Sequence, residues 1–185
     1  MGPRVAIVTD DHDGPPRAAL IAALAVAATA VIGLLVVAAL RQTPPQPSPV
    51  VIAAAPAPDA GGDACGALLA GLPDRLGDYH RAEAVEPVPA GAAAWRDDRG
   101  GEPVIMRCGL ERPVDFVASS PLQGVNEVNW FRIGDQDRTT WVAVDRPVYV
   151  ALTLPDGSGP TPIQLISDAV AKAMPASKPN PGPVR

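Results

Sequence analysis

From Ala18 to Leu40 the chain carries no charged residue, and Arg17 and Arg41 bracket the run. As a helix, these residues span about 35 Å at ~1.5 Å each, against a hydrocarbon core of about 30 Å. A helix apolar on every face for this length has no ordinary place on the surface of a soluble domain. The pattern predicts one transmembrane helix over 18–40. A cleaved signal peptide is the alternative, but its apolar core runs to about 7–15 residues. The small stretch Ala53-Ala54-Ala55 lies well past the run, and Cys65 follows Gly62-Asp63-Ala64, not a lipobox. An uncleaved anchor is therefore expected. Arg4 and Arg17 precede the run and Arg41 follows it, a basic count that puts the amino terminus in the cytoplasm and the main domain outside. Ala19, Ala23 and Ala27 form a small-residue stripe that would let two such helices approach in a weak homodimer.

Downstream the period changes. Val104, Met106, Cys108 and Leu110 alternate onto one face, and Val148, Val150, Leu152 and Leu154 do so more cleanly. Strands are also expected over about 78–85, 127–133 and 139–145, the last two joined by the hairpin-type loop Gly134-Asp135-Gln136-Asp137. Asp63 can cap a short helix over Ala64–Leu72, ended by Gly71 and Pro73. Thr161-Pro162-Ile163-Gln164 matches a capping box, and Ile163, Ile166, Val170 and Ala173 follow at helical spacing before Pro175. The expected fold is α+β: a mostly antiparallel sheet of about four to five strands with a helix at each end, preceded by the transmembrane helix.

Composition adds the boundaries. The 185 residues include 23 Pro and 17 Gly, and all seven aromatic residues lie between Tyr79 and Tyr149. The chain divides into a disordered cytoplasmic tail (1–17), the anchor (18–40), a Pro-rich spacer (41–62), an extracytoplasmic domain (63–175) and a disordered tail (176–185). A spacer in polyproline II would rise ~3.1 Å per residue and hold the domain up to about 65 Å from the bilayer. A net charge of −5 argues against a nucleic-acid partner. The domain itself, with 16 acids and 10 bases, is not attracted to anionic wall polymers by charge.

Two cysteines in an extracytoplasmic domain read as one disulfide, Cys65–Cys108, tying the first helix to the sheet. Two buried free thiols are the rival reading. C-x-x-C spacing, the usual mark of a redox pair, is absent.

Catalytic patterns are not found. His80 is the domain's sole histidine and has no nucleophile signature beside it. Asp135 and Asp137 have Asp-x-Asp spacing without the third ligand, Gly and distal Glu of a calcium loop, and the amino-terminal Asp11-His12-Asp13 reads as a solvated tail. No metal site, cofactor or catalytic residue is assigned. The candidate binding residues are Trp95, Trp130 and Trp141. Trp130 and Phe131 must point to opposite faces of a strand, so an exposed Trp130 would offer a ring to a sugar or a protein partner. The bland reading has both sheet faces covered, one by helices and the other by loops.

Cys65, Leu72-Pro73, Trp95, Arg107-Cys108-Gly109-Leu110, Pro113, Val128, Trp130 and Met174-Pro175 together resemble the actinobacterial family called domain of unknown function 3515. Arg96 departs from the pattern, in which Gly follows the Trp. The resemblance implies a single-pass membrane or secreted protein with an extracytoplasmic domain, and brings no activity with it. The expected function is a non-enzymatic envelope module, structural or binding a protein partner. An envelope enzyme of hydrolase type with an unrecognised site is the alternative.

Overall fold

The computed structural model describes residues 17–41, 48–134 and 138–183. The amino-terminal tail with Asp11-His12-Asp13, Pro44, Pro45 and Pro47 of the spacer, and Asp135 and Asp137 lie outside the described residues.

Two compact units divide the chain at Pro44/Pro45. In the first, α1 (Arg17–Arg41) is one continuous helix, exposed over residues 17–38 and long and apolar enough to cross a membrane or serve as a signal sequence. Thr29 bonds its hydroxyl back to Ala25 O and Val26 O, so the one polar side chain in the run is satisfied within the helix.

In the second unit, α2 (Asp63–Ala70) precedes β1 (Arg75–Leu76), β2 (Tyr79–Ala82), β3 (Ala92–Asp97), β4 (Val104–Leu110), β5 (Leu122–Val125), β6 (Val128–Gly134), β7 (Arg138–Ala143), β8 (Tyr149–Pro155) and α3 (Thr161–Ala173). The strands form one antiparallel sheet in the order β1-β2-β3-β4-β8-β7-β6-β5. The α+β class is as expected, but the sheet has eight strands, not four to five. The additional strands have physical reasons to be hard to read. β1 is two residues long. β3 is Ala-Ala-Ala-Trp-Arg-Asp, whose alanines carry little strand preference, and β5 is an edge strand containing Gly124.

Both faces of the sheet are covered. On the helix face, Cys65 and Leu68 of α2 and Ile163, Ile166 and Val170 of α3 pack against Trp95, Met106, Cys108, Trp130, Val150 and Leu152. On the opposite face lie two smaller clusters. One is Val50, Ile52, Ala82, Ala94 and Ile105, and the other is Phe116, Phe131, Val142, Val144 and Ala151. The first cluster alters the reading of the spacer. Val50 and Ile52 are buried, Val50 bridges to Ala84 in parallel, and Asp59 N donates to Gly109 O. Residues 48–62 are thus a strap across the sheet, and only 42–47 separate it from α1. The carboxyl end behaves likewise: Ser177 N donates to Asp145 O, Tyr149 Oη to Asn180 O and Gly182 N to Phe116 O.

Two helix starts differ from expectation. Asp63 is the first residue of α2, not its cap; Gly62 is the cap. At α3, Pro160 already has helical angles (φ −82°, ψ −20°), so Thr161 enters the helix and cannot take the extended conformation that a capping side chain needs. The capping box is not formed, and Gln164 N instead donates to Pro160 O.

Candidate functional site

The cysteines pair as expected. Cys65–Cys108 is a disulfide with Cα atoms 5.6 Å apart, and both residues are fully buried between α2 and β4. This bond belongs to the core, not to a redox site.

The tryptophans separate by burial. Trp95 is enclosed, donates Nε1–H to Pro73 O at 2.9 Å, and has the Arg81 guanidinium 4.9 Å from its ring. Trp130 is equally enclosed and donates Nε1–H to Ser167 Oγ at 2.9 Å, which in turn donates to Ile163 O. Neither can offer a ring to a ligand, so the stacking role weighed for Trp130 is corrected: α3 covers its face of the sheet. Trp141 is partly buried and packs against the same core.

Antiparallel pairing brings the starts of β2, β4 and β7 and the ends of β3 and β8 to one end of the sheet. Three depressions line that end. The first, about 370 Å³, is walled by Arg75, Asp78, His80, Asp97, Asp98 and Arg99. A second, about 340 Å³, shares Asp97 and Arg99 with it and adds Tyr79, Gly101, Glu102 and the Pro155-Asp156-Gly157 turn. The third, about 280 Å³, shares that turn and is floored by Trp141, with Leu154, Pro160 and Ile163 beside Gln123, Thr139 and Ser158. Shared walls make them one groove, charged at one end and aromatic at the other.

The charged end is held by local bonds. Asp97 Oδ1 accepts from Gly101 N, Asp97 O accepts from Gly100 N, and Arg99 Nε lies 3.4 Å from Asp97 Oδ2. His80 Nε2 stands 3.6 Å from Asp98 Oδ2. Burial, then the Asp97 charge, pushes the Tyr79 phenol up. The described lining of the first depression contains acids and bases but no hydroxyl or thiol for His80 to activate. Among the described residues no three His, Cys, Asp or Glu side chains gather as metal ligands.

The aromatic end is suited to docking. Arg132 lies over Trp141 at 5.8 Å from the ring centroid. A half-exposed Trp, an adjacent Arg and an apolar rim with a few polar groups are the chemistry of an anchor pocket for a partner's side chain. Residue type alone points to Trp141; the groove around it depends on the Pro155–Pro160 turn and gives no sequence signal.

A buried ion pair gives no signal in the sequence. Asp145 and Arg146 are adjacent yet both nearly inaccessible, 3.1 Å apart. Asp145 Oδ2 accepts from Asn129 N and Nδ2, and Arg146 Nη2 donates to Glu127 O. These bonds join the β7–β8 loop to the start of β6, a structural role.

The model of a family described as "protein of unknown function (DUF3515)" matches residues 24–179. No curated protein and no solved structure matches the chain.

Proposed function

From the premise that the chain belongs to the DUF3515 family, we propose that it is a membrane-anchored, extracytoplasmic module of the cell envelope that binds a protein partner and performs no catalysis. One observation carries the reading: a 25-residue helix uncharged from Ala18 to Leu40, exposed over residues 17–38, is followed by a domain whose two cysteines are bonded to each other. The first is what a single-pass anchor requires, and the second is what an oxidising compartment permits. The basic residues Arg4 and Arg17 against Arg41 support an inward amino terminus. The Trp141 end of the groove is the partner's docking point.

Protease added to intact cells stripped of their wall should digest the domain without lysis. Protection until lysis would place the domain inside and end this reading. A photo-crosslinking residue at Ser158 should capture a protein, and Trp141→Ala should abolish the adduct. A hydrolase screen offers the opposite outcome: turnover lost in His80→Ala would make the charged end of the groove an active site, and the protein an enzyme.

A further inference from the structure

The strap over the sheet exposes one side as it buries the other. Val50 and Ile52 point into the sheet, so alternation sends Val51 outward, where it is 75% exposed. Val50 N bonds Glu83 O and Val85 N bonds Val50 O, which sets Val85 beside Val51. Val85 and, three residues on, Val88 are also exposed, as is Pro87 between them. Val51 and Val85 thus face solvent side by side, with Val88 exposed three residues on, and the amides of Val85 and Val88 are already bonded, to Val50 O and Glu86 Oε2.

Chain length says what lies nearby. Only residues 42–47 separate Arg41, the last residue of α1, from Ser48. Ten peptide units join Arg41 to Val51, and at ~3.3–3.6 Å each they reach at most about 35 Å. A compact domain of this size has a radius of gyration near ~14 Å, so the leash is no longer than about one domain diameter. On such a leash the local concentration of lipid is of millimolar order or above, and a small apolar strip suffices.

We propose that Val51, Val85 and Val88 seat in the interfacial layer of the bilayer that holds α1. The proposal rests on the anchored reading above. Glu83 and Glu86 are exposed beside the strip, which makes zwitterionic rather than anionic lipid the favoured surface. The seating also orients the groove. Val85 lies beyond the end of β2, whereas the groove lies where β2 starts and β8 ends, at the opposite end of the sheet. A domain seated on its valines turns the Trp141 groove away from the membrane, toward a partner in the envelope.

The test uses the full chain in phosphatidylcholine vesicles, with an environment-sensitive fluorophore on Val51→Cys, Val88→Cys or, as the distal reference, Asp156→Cys, and a quencher carried on the lipid. An interfacial residue lies roughly 5–10 Å into the headgroup boundary, so quenching at positions 51 and 88 should exceed that at 156 by about threefold. Val85→Ser with Val88→Ser should lower quenching at position 51 toward the reference. Equal, weak quenching at all three positions overturns the proposal while leaving the anchor intact. So does a protein crosslinked at position 51 in native membranes without lipid quenching. Chains that fail to float with the vesicles overturn the anchored reading itself, and flotation is measured first on the same sample.

Discussion

Gly109→Ala tests whether the strap is part of the folded domain. Gly109 has φ +83°, and the register between β4 and β8 shifts around it between Cys108 and Leu110. A methyl at this position would overlap the backbone of Asp59 and Ala60, coming within 2.5 Å of Ala60 Cα. The strap must lift, and Asp59 N then loses its bond to Gly109 O. A left-handed conformation costs an L-residue about 1–2 kcal/mol. The lost hydrogen bond adds about 1 kcal/mol. Uncovering Ala60 brings the total to about 3 kcal/mol, and lifting Val50 or Ile52 as well would add roughly 1.5–3 kcal/mol for each side chain. For a domain of this size 3 kcal/mol lowers Tm by about 10 °C.

Gly100→Ala is the control, because Gly100 has φ +76° with nothing within 4 Å of its added methyl. It should cost only the conformational term, about 1–2 kcal/mol. Urea and thermal melts of the two oxidised variants give the difference. Hydrogen exchange gives the location: the amides of Val50 and Val85, bonded to Glu83 O and Val50 O, should exchange faster in Gly109→Ala than in Gly100→Ala. If the two variants melt together, the strap contributes nothing at this crossing and the argument for a short leash fails with it.

The disulfide closes a loop across a separation of 43 residues, which the chain-entropy model values at about 4 kcal/mol. Cys65→Ser with Cys108→Ser should therefore destabilise the domain by that order, and iodoacetamide without reductant should label neither thiol in native protein. Labelling of both, or a reduced protein that melts with the oxidised one, refutes the staple. Burial raises the phenols of both tyrosines, Tyr79 and Tyr149. Their folded pKa values lie above the unfolded ones, so folding holds protons that the unfolded chain releases. The contribution is fully present below about pH 10 and is lost as pH rises through the folded values. Absorbance titration should place phenolate formation at higher pH in native protein than in urea; superimposed curves contradict it.

What could be read from the chain follows from what each residue had to satisfy. α1 was legible because one unbroken property, the absence of charge, runs from Ala18 to Leu40. β4 and β8 were legible on the helix face, where Val104, Met106, Val150 and Leu152 are large and apolar. The opposite face obscured the rest: it is filled by small residues such as Ala82, Ala94 and Ala151, which suit close approach of a strap or loop but carry no strand signal. The spacer misled for a related reason. Prolines mark extended backbone, yet the chain from Ser48 onward is extended against the sheet, with Val50 and Ile52 supplying the burial. Asp145-Arg146 gave no signal, since adjacent opposite charges ordinarily sit in water. Of the three tryptophans, residue type could not say that Trp141 would stay partly exposed while Trp95 and Trp130 are enclosed.

The stretch Arg107-Cys108-Gly109, by which the chain resembles its family, is explained by architecture alone. Alternation along β4 sends Cys108 to the helix face and Arg107 to the other. Cys108 bonds α2, Arg107 Nη2 donates to Ala53 O of the strap, and Gly109 admits Asp59 and Ala60 across the strand. Burial lowers the Arg107 guanidinium's pKa. Three consecutive residues thereby lash a helix and the strap to opposite faces of one strand. Each of the three residues thus has a role in the fold, and of the Arg107 guanidinium only Nε is buried without a partner. Function is better sought at side chains that remain open to solvent: at Trp141, which is only partly buried, and at the valines beside the strap.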